Sequence, residues 1–127
     1  MSVVHDASSL LAVAFREPGA EIARATLRAS LISSVNWSEV LQKVAARQGD
    51  TNQLRQLFGG LGVSIVPFSA EHAERAAAIY PETKAFGLSL GDRACLALGL
   101  ETGLEIFTAE RSWADLPLEI NVRTIRS

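Results

Sequence analysis

Apolar positions along the chain change their period several times, and each change marks an element. "SVVH", Ser2 to His5, is a short β-branched run that stops at Asp6. "ASSLLAVAF" follows with helical spacing at Leu10, Leu11, Val13 and Ala14, and "EPG" at Glu17 to Gly19 breaks it. "AEIARATLRA" reads as an amphipathic helix, with its apolar stripe within Glu17 to Ala29. "LISS", Leu31 to Ser34, is a second short strand. "NWSEVLQKVAARQG" predicts a helix from about Asn36 to Gln48, ended by Gly49. "DTNQLRQLFGGLG" starts another at Asp50 or Thr51, with its stripe over Thr51 to Leu57, and stops in its glycines. "VSIVPF" alternates and is β-branched, a third strand. "SAEHAERAAAIYP" is a helix with Ser69 as N-cap and Pro81 as its stop. "ETKAFGLSLG" reads as a linker or short helix. "DRACLALGLETG" is apolar nearly all round, so a buried helix is expected, capped by Gly103. "LEIFTA" is a fourth strand, "ERSWADLP" a helical turn and "INVRTI" a last strand.

Strands and helices alternate, and the connections are long enough for right-handed crossovers. The expectation is an α/β protein with a mainly parallel sheet and helices on both faces. Ligands of such sheets bind at the carboxyl ends of the strands, near the point where strand order reverses. A length of 127 residues suits one domain, residues 1–127. With 48% of residues apolar and 20% charged, the profile is that of a globular protein. No apolar run approaches the roughly 20 residues that cross a bilayer. The apolar N-terminus lacks a basic leader and is interrupted by His5 and Asp6, so a cleaved signal is not expected. The single cysteine, Cys95, excludes an internal disulfide and reads as a buried small hydrophobe. The expected compartment is the cytoplasm, with no membrane partner. A net charge of −2 argues against a surface coated in basic residues for duplex DNA, while leaving room for a local basic groove.

Four acidic residues stand out by position. Asp6 ends the first strand, and Glu39 lies in the first turn of the helix after the second. Asp92 opens the buried helix, and Glu110 follows the strand "LEIFT" after Ala109. Each has a local explanation. "NWSE" and "SLGD" both fit a capping box, with Asn36 or Ser89 as N-cap, and Asp6 fits the N-cap of "ASSLLAVAF". A carboxylate in a first helical turn is also favoured by the helix dipole, by roughly 0.3–1 kcal/mol. Taken together, they have a second meaning. Four carboxylates at one sheet edge repel one another and are driven toward protonation unless a cation sits among them. Hard oxygen ligands select Mg2+ or Mn2+ over zinc. Such ions polarise a phosphoryl oxygen and activate water for in-line attack. No G-x-S-x-G elbow or Gly-rich phosphate loop competes. His5 is expected to pack within the fold and His72 to face solvent.

The stretches "VVHDASSLLAV", "ISSVNWSEVLQK", "GLSLGDRACLALGLETGLEIFTAERSW" and "VRTIR" carry a resemblance over nearly the whole chain. In order and spacing they resemble the motifs of PIN-domain proteins, and among them the VapC-type toxins of bacterial toxin–antitoxin pairs. The resemblance implies a three-layer α/β/α sandwich around a mainly parallel five-stranded sheet. It implies a Mg2+- or Mn2+-dependent endoribonuclease, a homodimer, an RNA substrate and inhibition by a cognate VapB-like antitoxin. Asp6, Glu39 and Asp92 fall on the family's first three acids. Glu110 falls on the fourth, where the family usually has aspartate, and Asp115 is a nearby substitute. Asp6 and Asp92 are then expected to hold the principal ion, with Glu39 ligating or orienting water and Glu110 completing the pocket. Ser8 and Thr108 match positions that hydrogen-bond the acids, and Asn36 precedes Glu39 by three residues. Arg93, Arg111, Lys43 and Arg47 are candidates for RNA phosphates. The same basic residues also fit ordinary ion pairing on a solvated face. Trp37 and Trp113 fit packing better than base stacking.

Two other readings share these residues. A metal-dependent phosphohydrolase usually carries a second acid beside the first, and "HDAS" offers only Asp6. A catalytically weak PIN-fold module that binds RNA or antitoxin follows if the fourth acid has lost its function.

Overall fold

The computed structural model describes residues 2–127, so Met1 at the head of the apolar N-terminal stretch lies outside it. Five strands form one parallel sheet: β1 (Val3–His5), β2 (Leu31–Ser33), β3 (Ser64–Val66), β4 (Glu105–Thr108) and β5 (Val122–Thr124). Their order is β3-β2-β1-β4-β5. The chain therefore steps outward from β1 to β3, returns to the other side at β4 and continues to β5. The reversal falls between β1 and β4, which pair from Val3 opposite Glu105 to His5 opposite Phe107. That pair frames the ligand-binding crevice of such a sheet.

Among the described residues seven α-helices cover the two faces: α1 (Ala7–Phe15), α2 (Ala20–Arg24), α3 (Ser34–Ala46), α4 (Thr51–Gly60), α5 (Ala70–Ala78), α6 (Tyr80–Thr83) and α7 (Leu90–Thr102). Alternation along each strand splits the core in two. Val3, Ile32 and Phe107 point to one face and meet Leu10, Val40 and Phe58 of the first four helices. Val4 and Ile106 point to the other and meet Cys95, Leu96 and Leu98 of α7, together with Trp113. The expected three-layer α/β/α architecture is the one observed. Among the described residues no helix is long and apolar enough to cross a membrane.

The helix that is apolar all round does lie buried. Ala94 to Gly99 are all buried, and a Cβ on Gly99 would overlap the Ile106 side chain, so glycine lets α7 lie directly on β4. Ser89 caps it in a full capping box with Asp92, and Gly103 closes it in the left-handed conformation. Truncating a buried leucine such as Leu96 to alanine costs about 2–5 kcal/mol in comparable cores.

Several boundaries differ from expectation, each for a local reason. The helix expected within Glu17 to Ala29 shrinks to Ala20–Arg24, because Thr26 and Leu27 donate i→i−3 bonds and Ala29 turns left-handed at φ 60. α3 begins at Ser34, not Asn36, since the Ser33 hydroxyl caps it by accepting from the Val35 N–H. Asn36 is thus inside the helix and is not its cap. Its left-handed terminal residue is Gln48 (φ 62), not Gly49. α4 runs through Gly59 and Gly60, and Gly62 at φ +100 ends it. Pro81 opens α6 instead of only stopping α5, as suits a residue whose missing N–H would be unpaired in a first turn. His72, expected in solvent, is 3% exposed, with Nε2 2.9 Å from Glu101 Oε1 on α7. α5 packs on α7 through that side.

Candidate functional site

Asp6 follows β1 and caps α1, accepting from the Ser9 N–H at 2.8 Å. The Ser8 hydroxyl stands 2.7 and 2.8 Å from its two oxygens, and the Thr108 hydroxyl donates to Oδ2 at 2.6 Å. Those hydroxyls have their direction fixed by backbone. Ser8 Oγ accepts from the Ala109 N–H at 2.8 Å, and Thr108 Oγ1 accepts from the Glu110 N–H at 3.0 Å. Each hydroxyl has one proton, and with an N–H already pointing at its oxygen that proton goes to Asp6. The start of α1 and the end of β4 are thereby tied together through one carboxylate. Asp6 is 4% exposed. Burial raises its pKa to about 6, the bonds from Thr108, Ser8 and Ser9 oppose the rise, and the charge of Asp92 adds to it.

Glu39 and Asp92 approach from two helices. Asp92 is the third residue of α7, where its carboxylate accepts from the Ser89 N–H at 3.0 Å. Glu39 lies within α3, one turn after Asn36. The Asn36 amide donates both to Glu39 Oε1 at 2.9 Å and to the Gly91 carbonyl at 2.8 Å. A side chain expected as a helix cap instead bolts α3 to the first turn of α7. Beneath the acids lies Cys95, whose thiol pKa is pushed well up by burial, then by the charges of Asp6, Asp92 and Glu39. The Glu39 carboxylate lies against Gly91, the residue before Asp92, and the charge of Asp92 reaches Asp6, so the three acids face the carboxyl edge of the sheet, beside the reversal of strand order.

Glu110 is outside this cluster. Its N–H belongs to the Thr108 bond, but its side chain is exposed and makes no hydrogen bond among the described residues. Asp115 is exposed at the end of the 3-10 turn Arg111–Asp115. The four basic candidates are scattered. Arg93 leans the other way, donating to the Ala76 carbonyl at 2.8 Å with its guanidinium 5.3 Å from the Tyr80 ring centre. Arg47 lies over the Phe15 ring at 3.9 Å, while Lys43 and Arg111 are exposed. Trp37 packs edge-on against Phe58, and Trp113 is 1% exposed, so both belong to the core. His5 is buried, bonded to Ser9 Oγ at 2.8 Å and Thr26 Oγ1 at 3.2 Å, and burial lowers its pKa to about 4. Sequence reasoning missed Gly91 and the Ala109 N–H. Gly91 had a signal in the small residue preceding Asp92, whereas a backbone donor has none.

The donor set fits a hard divalent cation. All the converging groups are carboxylate oxygens, held by neutral donors that leave lone pairs free. Among the described residues no three His, Cys, Asp or Glu side chains have closed to chelating geometry. A concavity of about 770 Å3 between Ser2, Leu104, Trp113 and Asn121 lies at the opposite edge. Among its lining residues Glu105 alone is charged, so the chemistry points to the acidic edge and not to that hollow.

The PIN domain family profile matches residues 3–118. The chain belongs to the PIN-domain family. No curated protein matches it significantly. Solved structures share the fold of this PIN domain along nearly its whole length. A toxin–antitoxin complex from Klebsiella pneumoniae is 24% identical with a TM-score of 0.80, covering 98% of each chain. DNA-bound VapBC from Salmonella typhimurium is 16% identical with a TM-score of 0.75, again covering 98% of each chain. VapC20 from Mycobacterium tuberculosis, a sarcin–ricin loop cleaving toxin, is 17% identical with a TM-score of 0.72, over 94% of this chain and 98% of that one.

Proposed function

We propose that this PIN domain is a Mg2+- or Mn2+-dependent endoribonuclease and the toxin of a VapBC-type pair, acting in the cytoplasm as a homodimer and restrained by a VapB-like antitoxin. The observation that carries this reading is a buried Asp6 held by Ser8, Ser9 and Thr108 at the sheet edge where Glu39 is seated on Gly91, the residue before Asp92. Support for the toxin role comes from fold neighbours described as toxin–antitoxin complexes and as an RNA-cleaving toxin.

A bound divalent ion would supply charge to polarise a phosphoryl oxygen and to acidify water. Asp6 and Asp92 are the residues to hold it, because one is fixed by Ser8, Ser9 and Thr108 and the other by the helix start. Asn36 donates to Glu39 Oε1, which leaves Oε2 to help hold the ion, directly or through a water, and to orient the attacking water and accept its proton. The water oxygen bonds to phosphorus, one P–O ester bond breaks, and the departing ribose oxygen takes a proton from bulk water. Lys43 and Arg111 are the exposed cations to contact flanking phosphates, with Glu110 at the rim as an auxiliary acid.

The test is cleavage of structured RNA by purified protein with Mg2+ or Mn2+, against the same reaction in EDTA. RNA cutting that needs the metal is expected, and Asp6→Asn should relieve growth arrest when the chain is expressed without antitoxin. Faster hydrolysis of small phosphomonoesters than of RNA would assign the phosphohydrolase reading. Unchanged toxicity of Asp6→Asn would sink the nuclease.

A further inference from the structure

Gly91 occupies the second position of α7, is buried, and has an ordinary right-handed backbone. Nothing in its conformation calls for glycine. The reason lies above it: a Cβ built there would stand 2.7 Å from Glu39 Oε2 and 2.9 Å from both Oε1 and the carboxyl carbon. The Glu39 carboxylate thus occupies the volume that any other residue would fill. Asn36 presses it there, since one amide group holds both Glu39 Oε1 and the Gly91 carbonyl. Asn36 is 1% exposed and its Oδ1 has no partner, so its amide orientation follows from the two acceptors it serves.

Resting on the nuclease reading, we propose that Gly91 is a positioning residue for the metal site: its missing side chain seats the Glu39 carboxylate against α7, next to Asp92. The group in the way of a Cβ is the far end of a flexible side chain, not backbone. An added methyl therefore displaces Glu39 and leaves the fold alone. Helix propensity even favours the change, because alanine replaces glycine in a helix. Stability and ion binding should move in opposite directions, which a purely structural role for Gly91 does not produce.

The experiment compares wild type, Gly91→Ala, Glu39→Gln and the double variant. Thermal midpoints are recorded, Mn2+ is titrated by electron paramagnetic resonance of the free ion, and RNA cleavage is assayed alongside. Gly91→Ala is expected to keep or raise the midpoint while Mn2+ affinity falls about tenfold or more. Glu39→Gln should lose a comparable amount, and the double variant little further, because both changes remove the same carboxylate. Wild-type Mn2+ affinity in Gly91→Ala overturns the inference, as does a fully additive loss in the double variant or a lowered midpoint. In those cases an active wild type leaves the nuclease standing. A wild type that neither binds Mn2+ nor cuts RNA overturns the nuclease reading and this inference with it.

Discussion

Asp6 and Glu110 follow neighbouring parallel strands, yet their carboxylates occupy different media. Asp6 is 4% exposed and takes hydrogen bonds from Ser8, Ser9 and Thr108. Glu110 is exposed, and only its backbone enters the same network. The difference comes from what each strand leads into. β1 runs straight into α1, whose first turn wraps donors around the acid. β4 leads into a 3-10 turn at Arg111, which leaves Glu110 on the outside. Burial fixes a carboxylate's geometry and raises its appetite for a proton or a cation. Exposure leaves the rotamer free and the charge screened. One edge of the sheet thus presents a rigid acid and an adaptable one side by side.

The contrast is sharpest in activity. Asp6→Asn should lower RNA cleavage on the order of 10³-fold, as loss of a central group in a preorganised site does. A loss of less than about tenfold in single-turnover assays would mean that Asp6 is not the principal ligand.

Acidification should separate Asp6 from its neighbour His5 in metal-free protein. Asp6 rises from 3.8 to about 6 on folding, so the folded state binds more protons in that window, and its contribution to stability grows as pH falls through it. His5 drops from 6.5 to about 4, so its contribution is present above 6.5 and lost as pH falls toward 4. Each shift is worth about 3 kcal/mol, and the two oppose. Between pH 6.5 and 4 the pair should nearly cancel in wild type. Asp6→Asn, with His5 alone, should lose about 3 kcal/mol more than wild type over the same range. Urea midpoints in EDTA at both pH values measure this, and parallel losses in the two proteins would refute it.

Thr108→Val keeps the shape and removes the link between the two strand ends. It leaves the part-buried Glu110 N–H without its acceptor and Asp6 without its shortest bond. A stability loss of about 1–3 kcal/mol is expected. Metal affinity should fall roughly 10–100-fold, as when an outer partner of a ligand is removed. Isothermal titration with Mn2+ reads the second effect, and an unchanged affinity would show that Ser8 and Ser9 suffice.

The smallest effect belongs to the exposed acid. Glu110→Gln should reduce cleavage by less than about tenfold, because its carboxylate holds no fixed geometry in the unliganded fold. A loss as large as that of Asp6→Asn would erase the distinction and place Glu110 within the working site.

Local rules made much of this molecule legible before any fold was known. Caps and apolar periods act within four residues, so Asp6, Ser69 and Ser89 could be assigned to helix starts and α7 to the interior. The same rules placed Asp6 at a strand end and Asp92 in a first helical turn, whereas Glu39, expected in a first turn as well, lies deeper because α3 already begins at Ser34. They failed where a side chain's partner is remote in sequence. Asn36 resembled a cap, but its second acceptor lies 55 residues on, at Gly91. His72 resembled a surface residue until α7 brought Glu101 against it. Arg93 resembled a phosphate ligand until α5 offered the Ala76 carbonyl. The Thr108 bond to Asp6 spans 102 residues and exists only because β1 and β4 are paired. Sequence alone determined that Asp6 and Asp92 stand at element ends, since their caps are hydrogen bonds within a single turn. Tertiary structure decided which of them are buried, oriented and brought together, since desolvation and contact depend on neighbours that only packing supplies.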